Sequence, residues 1–191
     1  MAQTTSYTSA AKPRAAGAIY RAPVNTTAPT SADSTLDTTK FVCLGYVSED
    51  GVTNSNSRES EALKAWGGDT VLTIQTDYTD TFNFKLIEVL NSDVLKTIYG
   101  ESNVSGTDLA TGLSVQANSK EPTQYMWVID MIMNNDALKR IVIPKGKVSE
   151  VGDTTYSSDE LVAYDTTITA VPDSSCNTHY EYIKAAPVVT T

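Results

Sequence analysis

The chain has 191 residues, enough for one domain with a real core and too few for two comfortable domains plus a long arm. Hydrophobic residues make up 40% and charged residues 19%, and Thr and Ser are plentiful, a balance that favours strands and turns over long charged helices and predicts a mainly β fold. The net charge of −9 repels a phosphate backbone and argues against ordinary nucleic-acid binding.

Residues 1–10 (MAQTTSYTSA) show neither a basic n-region nor an apolar h-region, and nothing approaches the roughly 18 consecutive apolar residues of a membrane span, so a soluble product without a recognisable export signal is expected. Residues 1–38 hold Lys12, Arg14 and Arg21, three prolines, no acid before Asp33, and one sizeable apolar pair, Ile19 and Tyr20. They read as an extended N-terminal arm, with residues 39–191 as the β domain. The first 32 residues carry +3, which leaves −12 for the rest of a −9 chain. Opposite signs predict that Lys12, Arg14, Ile19, Tyr20 and Arg21 dock on a neighbouring acidic subunit and order only there, the other reading being a disordered tail.

Residues 39–48 (TKFVCLGYVS) are β-branched and aromatic and end at Asp50-Gly51, which predicts a strand and a hairpin turn. Residues 57–66 (SRESEALKAW) place Ala62, Leu63 and Trp66 at helical spacing before Gly67-Gly68, the pattern of a short helix or an ordered loop. Residues 70–76 and 81–90 alternate around Asp77-Tyr78-Thr79-Asp80 and predict a second hairpin, with Leu72, Ile74, Phe82, Phe84 and Leu86 inward and Thr73, Gln75, Asp77, Thr81, Asn83 and Lys85 outward. Asn91 or Ser92 then caps a helix with an apolar stripe of Val94, Leu95, Ile98 and Tyr99, closed by Gly100. Further strands are expected at 113–117, 124–133, 138–147, 160–171 and 180–184, with 124–133 central because it is apolar on both faces.

Chemistry is sparse. His179 is the single histidine, with no Cys or Asp at ligand spacing, and reads as a surface or edge-strand imidazole. Cys43 and Cys176 lack any paired spacing and read as two reduced thiols. Gly67-Gly68 lacks the Lys-Ser/Thr of a phosphate loop and reads as a helix stop, while Asp77 and Asp80 lack the Gly and Glu of a calcium loop and read as turn acids. Glu88 falls on the Phe82 and Phe84 face, where a carboxylate needs a partner, so it reads as structural or intersubunit. No nucleophile, base and oxyanion donor converge, and neither an enzyme, a cofactor nor a metal is expected.

The ordered set Gly45-Tyr46-Val47-Ser48-Glu49-Asp50-Gly51-Val52, Ala65-Trp66-Gly67-Gly68-Asp69, Phe82-Asn83-Phe84, Leu86-Ile87-Glu88, Leu95 and Tyr99-Gly100 resembles the major tail (tail tube) proteins of siphophages, as does Ala22-Pro23 before Thr26 and Thr27. The resemblance covers residues 17–105. It implies an antiparallel β-sandwich or partial barrel with one flanking helix, six copies per ring, and rings stacked into a virion tail tube around a channel for genome ejection, with a long loop and the terminal arms between rings. It further implies assembly in the host cytoplasm, tape measure and tail tip or terminator proteins as partners, and double-stranded DNA as a transient, non-specific passenger. On that reading Thr73, Gln75, Asp77, Asn83 and Lys85 are candidates to face the lumen, with Asp130 and Asp165 on later strands, and an acidic lumen is a low-adhesion surface for DNA. The alternatives are another virion structural protein, or a monomeric adhesin or carbohydrate-binding β-sandwich presenting Tyr125, Tyr156, Tyr164 and Tyr180.

Overall fold

The computed structural model describes residues 5–14 and 17–185; residues 1–4, 15 and 16 of the expected arm and 186–191 of the expected domain lie outside them. In chain order the elements are β1 (Lys12–Pro13), β2 (Ile19–Pro23), β3 (Val42–Cys43), β4 (Val47–Lys64), β5 (Thr70–Leu86), α1 (Ser92–Tyr99), β6 (Val104–Ser105), β7 (Ser114–Val115), β8 (Tyr125–Ile132), β9 (Leu138–Val151), β10 (Tyr164–Ala170) and β11 (Tyr180–Lys184). Nine of the strands form one antiparallel sheet in the order β3-β2-β8-β9-β10-β5-β4, with β1 on β8 and β11 on β9. β6 and β7 form a separate small ladder. Residues 44–46 bridge the two ends of this sheet, since Leu44 N–H donates to Ile19 and Ile87 N–H donates to the Tyr46 carbonyl. The result is the mainly β sandwich, curled to a partial barrel with one helix, that the sequence predicts.

β8 is central because its alternate residues are buried on opposite sides. Tyr125, Trp127 and Ile129 join Phe82, Phe84, Leu86, Ile143 and Ile168 in the interior. Met126 and Val128 face the other way and meet Tyr20, Ala22, Phe41 and Val142 in a second cluster, closed by Ala28 and Leu36. Trp127 is fully buried and its indole N–H donates to the Gly146 carbonyl at 3.0 Å, so the one polar atom of its ring is satisfied. α1 covers the interior through Val94 and Leu95, capped by the Asn91 side chain, which accepts from Asp93 N–H.

The second cluster corrects the arm. Residues 19–23 are a strand between β3 and β8, and residues 28–41 strap the back of the same sheet. Ile19, Tyr20 and Arg21 are buried in their own subunit at 0%, 7% and 4% exposure. Ile19 faces the interior and Tyr20 the second cluster, on opposite sides of a short strand whose partner, β8, lies about a hundred residues away in sequence, a contact that local composition does not reveal.

The β4–β5 hairpin overturns three further expectations. Asp50-Gly51 is not a turn; Gly51 sits at φ 72° in an irregularity between Val47 and Val52 that bends β4. Residues 57–66 are neither helix nor loop but the outer half of β4, because pairing with β5 overrides the helix preference of Glu, Ala, Leu and Lys. Asp77 to Asp80 are interior to one continuous β5, and the hairpin reverses at Ala65–Asp69, where Gly67 and Gly68 have φ of 124° and 100°.

Candidate assembly surfaces

The hairpin leaves the body at Asp80. Beyond the pairing of Thr81 with Thr169, β5 has β4 as its partner, and every residue from Ser57 to Asp77 is exposed. That free part projects about 25 Å at strand spacing. A bulge between Glu59 and Ser60, where the partner skips from Asp77 to Gln75, switches the side-chain alternation of β5. Leu72 and Ile74 consequently share a face with Leu63, which pairs with Leu72, and all three are exposed rather than continuing the Phe82 and Phe84 face. At the tip Trp66 is wholly exposed, at 107%. A free two-stranded hairpin is marginal in water, and exposed clusters of this kind on soluble chains mark surfaces that other molecules cover.

The root of the hairpin is held by a buried carboxylate. Asp80, 1% exposed, accepts from Asn54 Nδ2 at 2.8 Å and from Thr178 Oγ1 and His179 Nδ1 at 2.6 Å each, while the His179 ring stands edge-on to Phe82 at 5.3 Å. His179 is therefore a clasp across β5 and the β10–β11 loop rather than a surface imidazole, and Asp80 is not a turn acid. Spacing could not reveal the pair, since the two residues are 99 positions apart.

The seven residues expected at a lumen separate into three groups. Thr73, Gln75 and Asp77 lie on the free hairpin and are exposed. Asn83, Lys85 and Asp165 come together on the outer face of β10 and β5, where Asn83 Nδ2 donates to Asp165 Oδ1 at 2.7 Å and to Thr167 Oγ1 at 3.1 Å, and Lys85 pairs with Asp50 at 2.9 Å. Thr81, Thr167 and Thr169 extend this face, and Lys147 beside it pairs with Glu121 at 2.8 Å. Asp130 is corrected: it is 3% exposed and bound twice by Arg140, from Nε at 2.6 Å and Nη2 at 2.7 Å, because the strap covers its side of the sheet.

The two arginines of the expected arm find their acids within the chain. Arg14 reaches Asp130 at 3.3 Å and Arg21 reaches Glu101 at 2.7 Å, with the Arg21 guanidinium 4.5 Å over the Tyr125 ring. Lys12 pairs by backbone with Ile132. The charge split is real, but the body it complements is the chain's own. Glu88 is half-buried and accepts from Tyr46 N–H at 2.9 Å and Asn91 Nδ2 at 3.0 Å, the structural role expected of it, although β5 ends before it. Cys43 and Cys176 are both thiols.

Of the tyrosines an adhesin would present, Tyr125 and Tyr164 are core residues at 7% and 5% exposure, and burial raises both phenol pKa values. They form no aromatic binding face with Tyr156. No helix among the described residues is long and apolar enough to cross a membrane, and no cluster of three or more potential metal ligands occurs among them.

A polar sheet face beside an exposed apolar hairpin is the kind of surface that other chains cover. The model of the phage tail tube protein family matches residues 8–191, and the chain belongs to that family. It is therefore a component of a virion tail. No curated protein matches the chain.

Proposed function

We propose that this protein is the repeating, non-catalytic subunit of a siphophage tail tube, with six copies closing each ring and rings stacking around the channel through which the genome leaves. The observation that carries this reading is the polar outer face of β10 and β5 lying next to β4, an edge strand 18 residues long. An open edge is a template for pairing, and copies joined there turn their polar faces toward a common axis and remove the edge. Lys85 and Lys147 are already paired with Asp50 and Glu121, while Asp165 and Glu150 add negative charge, so DNA passing that face meets little that would hold its phosphates. Thr73, Gln75, Asn83, Lys85, Asp77 and Asp165 remain the lumen candidates. Tape measure and tail tip or terminator proteins are its partners on this reading, and assembly takes place in the host cytoplasm before DNA arrives.

The test is a maleimide-gold label on Asn83→Cys, in a Cys176→Ser background, in assembled tubes viewed end-on by electron microscopy. Density on the axis of six-fold rings is expected; density on the outer surface would contradict the lumen assignment, and another ring number would contradict the hexamer.

A further inference from the structure

We propose that Trp66 at the hairpin tip seats in a cavity between β1 and β4 of a second copy, an inference that rests on the tube reading and names the receptor for its hairpin. The cavity, about 670 Å³, opens where the curled sheet fails to close, with Ala18, Val47, Val52, Ile129 and Met131 among its walls. That volume lies within the range of sites that enclose a small ligand. Tyr46, 76% exposed, forms an aromatic lip.

Four observations select the occupant. First, Gly67 and Gly68 give the tip no side-chain bulk, so the fully exposed Trp66 leads it. Second, the chain cannot fill its own cavity: β4 runs from the cavity wall at Val52 to the tip as one extended strand, which holds Trp66 about 45 Å away. Third, the charges of the tip find partners at the cavity mouth: the tip carries Lys64 at the end of one strand and Asp69 in the turn, while the lining offers Glu49 and Glu88 for the first and Lys12 for the second, Arg14 being held by Asp130 in the same wall. Fourth, a protrusion and a receptor at different places on one chain make a head-to-tail contact, the kind that builds rings and open stacks rather than closed dimers. Indole burial against Tyr46 and the apolar wall has the character of an interface anchor.

The experiment compares the unassembled chain with its tubes by acrylamide quenching of tryptophan fluorescence. Trp127 is fully buried within the subunit and supplies a constant protected signal, so the quenchable part reports Trp66. Quenching of that part is expected to fall roughly fivefold on assembly as the indole leaves water. In parallel, Trp66→Cys combined with Tyr46→Cys, in a background carrying Cys43→Ser and Cys176→Ser so that no native thiol lines the cavity, should give a ladder of disulfide-linked copies on oxidation, whereas Trp66→Cys with Tyr156→Cys should not. All three replaced aromatic positions are exposed, so the fold is spared. Tubes in which Trp66 stays quenchable and the 46/66 pair fails to link would overturn this inference and leave the tube reading intact; absence of tubes altogether would overturn both.

Discussion

Asp80 and His179 meet at 2.6 Å at the point where the hairpin leaves the body, with the carboxylate fully enclosed and the imidazole 19% exposed at its side chain. A carboxylate oxygen accepts, so Nδ1 donates, and three donors from two segments, β4 and the β10–β11 loop, converge on one side chain. Asp80→Ala strands all of them and is expected to cost about 3 kcal/mol, while His179→Ala, which removes one donor near solvent, costs about 1 kcal/mol. Urea unfolding of the two variants checks the order, and a His179 effect larger than the Asp80 effect would contradict the arrangement.

Arg140 is the corresponding tie on the other side of the sheet. Besides Asp130, its Nη1 donates to the carbonyls of Ser31 at 3.0 Å and Ser34 at 2.9 Å, pinning the strap. Arg140→Met leaves Asp130 as a buried charge with Arg14 as its remaining cation and is expected to cost about 3–5 kcal/mol. Adding Asp130→Leu removes that charge, so the double variant should be more stable than Arg140→Met alone, as thermal unfolding will show.

The strap also reaches β11 through Lys184 and Asp33, which lie 2.5 Å apart. The hydrogen bond from Lys184, and then that from Ser31, lowers the Asp33 pKa from 3.8 to about 2. A depressed folded-state value means that the contribution to stability is fully present above the ordinary pKa and is lost as pH falls through the folded one, that is, between about 4 and 2. An NMR titration of the Asp33 carboxyl should find a midpoint near the lower value, and Lys184→Met should move it upward.

Gly45 adopts φ 74°, and a Cβ there would lie 2.0 Å from the Glu88 carboxyl carbon. Gly45→Ala is thus expected to displace Glu88 from Tyr46 N–H and destabilise the fold by about 1–3 kcal/mol. In the Glu88→Ala background, where the obstructing carboxyl is gone, the same substitution should cost less, and equal costs would show that the close approach is not the cause.

What the sequence made legible follows from how local each signal is. The helix could be read because its cap, stripe and closing glycine all fall between Asn91 and Gly100, and 180–184 because Tyr180, Glu181 and Tyr182 open it with the alternation of a strand. The hairpin was misread at both strands: residues 57–66 are written in helix-favouring residues, and the bulge at Glu59 and Ser60 breaks the alternation that placed Leu72 and Ile74 with Phe82. The strap was misread because few residues in it are apolar, and those few meet β8 and β9 from far along the chain. Of the lumen candidates, alternation puts Asn83 and Lys85 on one face of their strand, while the place of Asp165 beside Asn83 depends on the pairing of β10 with β5, which alternation does not supply. Asp130 was lost because strand parity says which face a residue takes, not what covers that face.

The central claim is self-assembly into a hollow tube, and the direct measurement is electron microscopy of the purified chain at moderate and high salt, with light scattering for the mass distribution. Straight hollow tubes or six-membered rings are the predicted result. A 20.6 kDa monomer at every concentration and salt would contradict it.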